Sequence, residues 1–130
     1  MTLYSLDTNA LLRYLLLDNK VQAYTVRDVI LAARDRQAEL YISELAFMEA
    51  VFVLTKVYRQ PIVDVSKQLS DLASLPYIYV EKRSVVLRAL KELSDRRYSF
   101  IDLLILFDAK SQDRKLLTFD KALLKLEQIV

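Results

Sequence analysis

The stretch Thr2-Leu-Tyr-Ser-Leu-Asp-Thr-Asn-Ala10 decides the fold class. Its first part, Thr2 to Leu6, is a short run with the length and apolar content of a buried strand. Asp7 follows at the position of a helix N-cap, and apolar residues then recur at helical spacing. The chain therefore begins with a strand that passes directly into a helix, which is the start of a β-α unit.

The same alternation continues along the whole chain. The predicted strands are Thr2–Leu6, Leu40–Ile42, Pro76–Val80, Lys115–Thr118 and Gln128–Val130. The predicted helices are two that follow Asp7 and are separated near Asp18-Asn19, and then Ser43–Tyr58, Pro61–Ser74, Val85–Leu93, Phe100–Gln112 and Lys121–Leu126. Short strands that alternate with helices are typical of parallel sheets covered by helices. We expect one domain, residues 1–130, with an α/β fold: a three-layer α/β/α sandwich around a central parallel sheet of four to five strands.

The composition excludes several classes of chemistry. The chain has no glycine, histidine, cysteine or tryptophan. Phosphate-binding loops of the P-loop and dinucleotide kinds need glycine. Catalytic triads, cysteine nucleophiles and structural zinc sites need histidine or cysteine. The remaining reactive groups are carboxylates, lysines, hydroxyls and amides, and of these the carboxylates bind hard cations such as Mg²⁺ and Mn²⁺.

Charge and hydropathy bear on partners and location. The chain has 19 basic and 17 acidic residues, a net charge of +2, so any site for a polyanion must be local. Apolar residues make up 54% of the chain, enough for a large core and some apolar surface for a partner. No apolar run approaches the ~18 residues of a membrane span, and no secretory signal is recognised. We therefore expect a cytoplasmic protein that does not bind membranes.

Four acidic residues are candidates for a site beyond the carboxyl ends of the parallel strands, where an α/β protein binds ligands. Asp7 follows the first strand, and Asp120 follows the predicted fourth strand. Glu49 lies in the helix after the second strand among apolar neighbours, where an unpaired charge is costly. Asp102 lies in the first turn of its helix. We expect the four carboxylates to converge on one crevice.

Each acid also has a simpler explanation. Asp7 and Asp120 could serve only as helix N-caps, Asp102 only in a capping box with Ser99, and Glu49 in a buried salt bridge. We favour the hypothesis that the four acids converge. Clustered carboxylates stay ionised only with cations between them, so a cluster of this kind would be a metal site. Mg²⁺ held by carboxylates and water suits the hydrolysis of a phosphodiester.

Four segments that contain these acids resemble the acidic motifs of the PIN domain family, in the same order and spacing. They are Leu6-Asp-Thr-Asn-Ala-Leu-Leu-Arg-Tyr14, Ile42-Ser43 with Met48-Glu-Ala-Val-Phe-Val-Leu54, Ser99-Phe-Ile-Asp-Leu-Leu-Ile105, and Leu117-Thr-Phe-Asp-Lys121. Within the family, the chain is most similar to the VapC-like toxins of toxin-antitoxin pairs. The resemblance implies a Mg²⁺- or Mn²⁺-dependent ribonuclease with a Rossmann-like fold, usually a homodimer and held inactive by a cognate antitoxin.

The resemblance also assigns roles to individual residues. Asp7 and Asp102 match the most direct metal ligands of the family, and Glu49 and Asp120 match the other two acids. Together they would be the catalytic residues and would hold one or two Mg²⁺ or Mn²⁺ ions. Two further residues, Asn9 and Thr118, match polar positions that hydrogen-bond the carboxylates.

Two departures from the family pattern affect local structure. Relatives often have a glycine between Ser111 and Lys115, whereas this chain has none, so Gln112 or Asp113 must adopt a less comfortable backbone conformation. After Asp102, the chain has Leu-Leu-Ile-Leu-Phe107 where relatives tend to have small alanines. This second departure affects packing but leaves the acid in place.

Candidate contacts to RNA and to protein partners are less specific. Arg13, Arg96 and Arg97 could bind RNA phosphates, and Tyr98 could stack on a base. For each arginine an ordinary solvated-surface role is the favoured interpretation, and for Tyr98 core or surface packing explains the residue equally well. The apolar helices Tyr24–Ala33 and Leu45–Tyr58 could form a groove for an antitoxin helix or a dimer face, although core packing explains most of their residues.

The sequence thus predicts a metal-dependent endoribonuclease, the toxin of a type II toxin-antitoxin system, with RNA as substrate. The alternative is a noncatalytic PIN-like module that binds RNA or protein. A phosphoacceptor domain of the receiver kind shares this architecture but needs paired acids after the first strand and an acceptor aspartate after the third. Val80-Glu-Lys82 does not provide that acceptor.

Overall fold

The computed structural model describes residues 1–93 and 97–130. Within these residues the chain forms three strands, seven α-helices and one π-helical turn. The strands are β1 (Thr2–Leu6), β2 (Ala38–Ile42) and β3 (Tyr79–Val80). The helices are α1 (Thr8–Leu16), α2 (Lys20–Arg34), α3 (Glu44–Phe52), the π-helical turn (Val53–Val57), α4 (Ile62–Ala73), α5 (Arg83–Glu92), α6 (Phe100–Ser111) and α7 (Lys121–Ile129). The predicted α/β class is confirmed.

The three strands form one parallel sheet in the order β1-β2-β3. Thr2 is paired with Ala38 and Leu6 with Ile42, while Ile42 is also paired with Val80. Because the strands are parallel and in this register, all three end at the same edge of the sheet. The residues that follow the three strands therefore lie next to one another at this edge.

The core lies between the sheet and the helices packed on it. In β2, Ala38, Leu40 and Ile42 are buried and alternate with exposed residues. The largest fully buried side chains include Phe47 of α3 and Phe107 of α6. The opposite face of the sheet is more open, with Leu3 70% and Tyr79 62% exposed. The helical layers of the predicted sandwich thus cover one face of the sheet more fully than the other.

The predicted number of strands was wrong for the described residues: three strands form instead of four to five. The predicted fourth strand, Lys115–Thr118, runs without sheet pairing. The amide of Leu116 donates to the Glu127 carboxylate at 2.6 Å, and Leu117 is 88% exposed. The predicted fifth strand, Gln128–Val130, mostly continues α7, where the Val130 amide donates to the Leu126 carbonyl. Both segments are therefore tied to α7 rather than to the sheet.

The lack of glycine has a visible effect on the backbone. Leu17, Arg36, Arg59, Lys82 and Asp113 have φ between 52° and 62°, the left-handed region that glycine occupies most easily. The prediction for the turn after α6 is confirmed, because Asp113 has φ 55°. The predicted separation of α1 and α2 is confirmed too, with Leu17 ending α1 and Asn19 capping α2.

Candidate active site

The carboxyl edge of the sheet is lined by residues that begin helices. After β1, an oxygen of the Asp7 carboxylate accepts a hydrogen bond from the Ala10 amide at 2.8 Å. After β2, the Ser43 hydroxyl accepts one from the Ala46 amide at 3.1 Å. After β3, the Glu81 carboxylate accepts one from the Glu44 amide at 2.9 Å. The starts of α1 and α3, with their positive dipole ends, are thus fixed at this edge.

Asp7 combines a structural role with availability to a ligand. Its Oδ1 atom caps α1, and the residue is exposed. Within the described part of the chain, its Oδ2 atom makes no hydrogen bond. A carboxylate has enough lone pairs to cap a helix and bind a cation together. The N-cap therefore does not exclude the role predicted from the sequence.

Asp120 begins α7 in the same way. Its Oδ1 atom accepts a hydrogen bond from the Leu123 amide at 3.0 Å, and its own amide donates to the Thr118 hydroxyl at 3.1 Å. In the part of the chain that the structure describes, Thr118 thus binds the backbone amide of Asp120, and no hydrogen bond joins it to the Asp120 carboxylate. Asn9 is exposed on α1, and among residues 1–93 and 97–130 it has no hydrogen bond to any of the four acids.

Asp102 lies in the first turn of α6 and is half-buried. Its amide donates to the hydroxyl of Ser99, the N-cap residue, at 3.1 Å. This is one half of the predicted capping box, and the reciprocal bond from the Asp102 side chain is not found in the described residues. Within the described residues, the Asp102 carboxylate makes no hydrogen bond or ion pair.

The expectation that the charge of Glu49 is costly among its apolar neighbours was wrong, because that side of α3 faces solvent. The residue is exposed, and so are its apolar neighbours Leu45 (59%) and Phe52 (61%). The helix buries the opposite side, with Ala46, Phe47, Ala50 and Val51 in the core. Although α3 is apolar nearly all round, only one side faces the core, and Glu49 is on the other. Its charge is solvated and needs no buried partner.

The structure does not gather the four acids into a ready metal cluster. In the portion that the structure describes, no three Asp or Glu side chains lie close enough together to hold one ion. The donor chemistry nevertheless fits Mg²⁺, which prefers carboxylate oxygens and is often bound by only one or two of them plus water. Asp7, Glu49, Asp102 and Asp120 remain the candidate ligands predicted from the sequence.

A second charged cluster lies near the same edge and was not predicted from the sequence. The Lys82 ammonium lies 3.2 Å from the Asp108 carboxylate and 3.8 Å from that of Glu44. Its hydrogen bond to Asp108 and the charge of Glu44 raise the pKa of Lys82. Partial desolvation and a hydrogen bond with the nearby Glu81 raise the pKa of Tyr41. No spacing rule could find this cluster, because its members come from different elements.

Of the predicted RNA-binding arginines, Arg13 is already engaged within the protein. Its guanidinium lies 2.6 Å from the Asp18 carboxylate, and a hydrogen bond to Tyr58 raises its pKa. Arg97 is exposed and lines a cavity. Arg96 lies outside the described residues. Tyr98 is half-buried and packs against the core.

The cavity has a volume of about 340 Å³ and lies between α3 with its π-helical turn and the start of α6. Its lining includes Phe52 and Thr55 on one side and Tyr98 and Ile101 on the other. Phe52 and Ile101 are 61% and 49% exposed. An open apolar surface therefore lies beside Asp102, which follows Ile101 in the chain.

These features define a parallel α/β protein whose candidate ligands are carboxylates at helix starts and on helix surfaces. The comparison with protein families is more specific, because the PIN domain family matches residues 4–128. The chain therefore belongs to the PIN domain family, whose members are generally nucleases and are often found in toxin-antitoxin systems. No curated protein and no solved structure matches it. Among the helices of the described residues, none is both long and apolar enough to span a membrane.

Proposed function

We propose that this protein is a Mg²⁺- or Mn²⁺-dependent endoribonuclease that hydrolyses RNA phosphodiesters. The observation that carries the proposal is the match to the PIN domain family over residues 4–128, which includes all four candidate acids. The proposal treats residues 1–130 as one domain that acts in the cytoplasm as the toxin of a type II toxin-antitoxin pair.

In this proposal Asp7, Glu49, Asp102 and Asp120 hold one or two ions, either directly or through water. A bound ion of this kind lowers the pKa of water and offsets the charge that develops on a phosphodiester during hydrolysis. The chain has no histidine or cysteine, so no side chain with an ordinary pKa near neutrality is available as a general base. The side chains of the protein would therefore contribute by placing carboxylates around the ion and by positioning the RNA.

The exposed apolar residues of α3 and α6 support a protein partner. Leu45 and Phe52 on α3 and Ile101 and Ile105 on α6 are each between 49% and 61% exposed. Their positions on the same helices as Glu49 and Asp102 would let an amphipathic antitoxin helix cover the acids. We include the homodimer in the proposal on the same ground, because solvent-exposed apolar residues favour association.

One observation favours the alternative, a noncatalytic PIN-like module that binds RNA or protein. Among the described residues, the acids do not form a group of three. Metal titration by calorimetry separates the two functions. A nuclease should bind Mn²⁺ with an affinity that falls in Asp7→Asn, whereas a noncatalytic module should give the same heat signal for both proteins.

The proposal is tested by incubating purified, antitoxin-free protein with a panel of structured RNAs in Mg²⁺, Mn²⁺ or EDTA. We expect cleavage with either metal, none in EDTA, and a large loss of rate in Asp7→Asn. The proposal is wrong if the purified protein cleaves no RNA, or if Asp7→Asn and the unmodified protein behave alike.

A further inference from the structure

Three consecutive charged residues lie where β3 passes into α5: Glu81 and Lys82 form the connection, and Arg83 is the first residue of α5. We call them the charged junction. Together they contact three different helices. Glu81 and Lys82 contact the start of α3, Lys82 also contacts α6, and Arg83 contacts the end of α4. The family resemblance assigns no role to any of the three.

The two outer residues anchor the charged junction. Glu81 extends the sheet, since its amide donates to the Ile42 carbonyl, and its carboxylate accepts the Glu44 amide. The half-buried Arg83 donates to the carbonyls of Ala73 and Leu75, at 2.5 and 2.9 Å, and to that of Ile78. The backbone on both sides of Lys82 is therefore fixed to the sheet and to α4.

Lys82 connects two helices through its ammonium group. Glu44 is the first residue of α3, and Asp108 lies in the second half of α6. The Oε2 atom of Glu44 is buried and has no hydrogen-bond partner among the described residues, so the charge of Lys82 at 3.8 Å compensates it. By comparison, the pairs Arg27–Asp28 and Lys67–Asp71 each lie within one helix and fix no second element.

Both connected helices carry candidate metal ligands. Glu49 is five residues after Glu44 on α3, and Asp102 is six residues before Asp108 on α6. At 1.5 Å per residue these separations are about 8 and 9 Å along the helix axes. Helices are stiff over such lengths, so the separation of Glu44 and Asp108 constrains that of Glu49 and Asp102.

We propose that Lys82 is a positioning residue: it holds α3 and α6 together so that Glu49 and Asp102 can serve one metal site. This role rests on the proposed function. Without the ammonium, the carboxylates of Glu44, Glu81 and Asp108 lose a shared cation and repel one another. The two helices then move apart, and metal binding weakens although no candidate ligand has been changed.

The first experiment measures the helix separation directly and needs neither metal nor RNA. Since the chain has no cysteine, Phe52→Cys and Ile105→Cys allow clean spin labelling of α3 and α6 for electron–electron distance measurement. Lys82→Asn removes the charge and suits the left-handed backbone at φ 52°, while Lys82→Arg keeps the charge. The matched control is Lys67→Asn, which breaks the pair within α4.

We expect a longer or broader distance distribution in Lys82→Asn than in the unmodified protein. Lys82→Arg and Lys67→Asn should match the unmodified protein. An unchanged distribution in Lys82→Asn overturns the proposal, whatever the RNA assay shows.

The second experiment measures Mn²⁺ affinity and RNA cleavage in the same variants. We expect about tenfold weaker Mn²⁺ binding in Lys82→Asn, the size typical for residues that support metal ligands. The KM for RNA should stay constant, and kcat should recover as Mg²⁺ is raised. Tighter Mn²⁺ binding in Lys82→Asn overturns the proposal, because Lys82 would then compete with the metal.

If the unmodified protein neither binds Mn²⁺ nor cleaves RNA, the proposed function fails, and the distance measurement still decides whether Lys82 holds the helices.

Discussion

The Ser99 hydroxyl accepts a hydrogen bond from the Asp102 amide at 3.1 Å. This bond begins α6 and fixes the backbone of Asp102, while the Asp102 carboxylate stays free within the described residues. Ser99 is not itself a candidate ligand, but its hydroxyl therefore fixes the backbone position of a candidate metal ligand.

Replacement of Ser99 should affect both stability and activity. Loss of an N-cap side chain typically costs about 1 kcal/mol, so Ser99→Ala should lower the free energy of unfolding in urea by that amount. RNA cleavage should fall as well, because the first turn of α6 frays around Asp102. Ser99→Thr keeps the cap and should restore both properties. Equal stability of Ser99→Ala and the unmodified protein would contradict this role.

Two substitutions of Asp7 should separate its structural role from its proposed catalytic one. Asparagine caps helices about as well as aspartate, so Asp7→Asn should keep the melting temperature while it abolishes cleavage. Asp7→Ala should lose cleavage and also about 1 kcal/mol of stability, since the Ala10 amide loses its acceptor. Thermal melts and RNA assays on the same samples check both parts. If Asp7→Asn cleaved RNA normally, Asp7 would be only a cap.

A glycine at a left-handed position should stabilise the chain. Leu17 ends α1 with φ 56° and is 57% exposed, so Leu17→Gly relieves backbone strain and loses little apolar burial. We expect a gain of roughly 0.5 kcal/mol, after the greater chain entropy of unfolded glycine is subtracted. Val21→Gly, at an exposed site inside α2, is the control and should destabilise by up to about 1 kcal/mol. Destabilisation by Leu17→Gly would show that Leu17 packs more tightly than its exposure indicates.

The raised pKa of Lys82 gives a pH dependence on the alkaline side. The Asp108 and Glu44 carboxylates raise this pKa above its ordinary value of 10.5, so the folded protein holds the proton more tightly than the unfolded chain does. The stabilisation is therefore fully present below pH 10.5 and is lost as the pH rises through the folded value. The unfolding free energies of Lys82→Asn and the unmodified protein should converge above pH 10.5. Because Lys82 is 45% exposed, the difference should stay under about 1 kcal/mol. A difference that grows with alkaline pH would contradict this account.

Local signals in the sequence predicted much of the fold. The strand Thr2–Leu6, the caps at Asp7, Ser99 and Asp120, and the strained turn at Asp113 depend on nearby residues, and all are present in the structure. These features can be predicted from the sequence because the residues that determine them are only a few positions apart.

Features that depend on distant residues were harder to predict. The apolar run at Leu117 was expected to be a strand, but the Leu116 amide is bound by Glu127 of α7. The charge of Glu49 was expected to be poorly solvated because α3 is apolar nearly all round. Which side of α3 faces the core is set by the packing of other elements, and Glu49 lies on the side that faces solvent. The links from Lys82 to Glu44 and Asp108 span 38 and 26 positions in the chain, which no local pattern encodes.

The central claim is that the four acids form a metal-dependent site for RNA cleavage, and the most direct test is the cleavage rate of Asp102→Asn in Mg²⁺. The matched control is Asp113→Asn, which replaces an exposed aspartate with a residue that also tolerates a positive φ. We predict a loss of about a hundredfold or more in Asp102→Asn and an unchanged rate in Asp113→Asn. Equal rates for Asp102→Asn and the unmodified protein, or no metal-dependent cleavage by either, would contradict the claim.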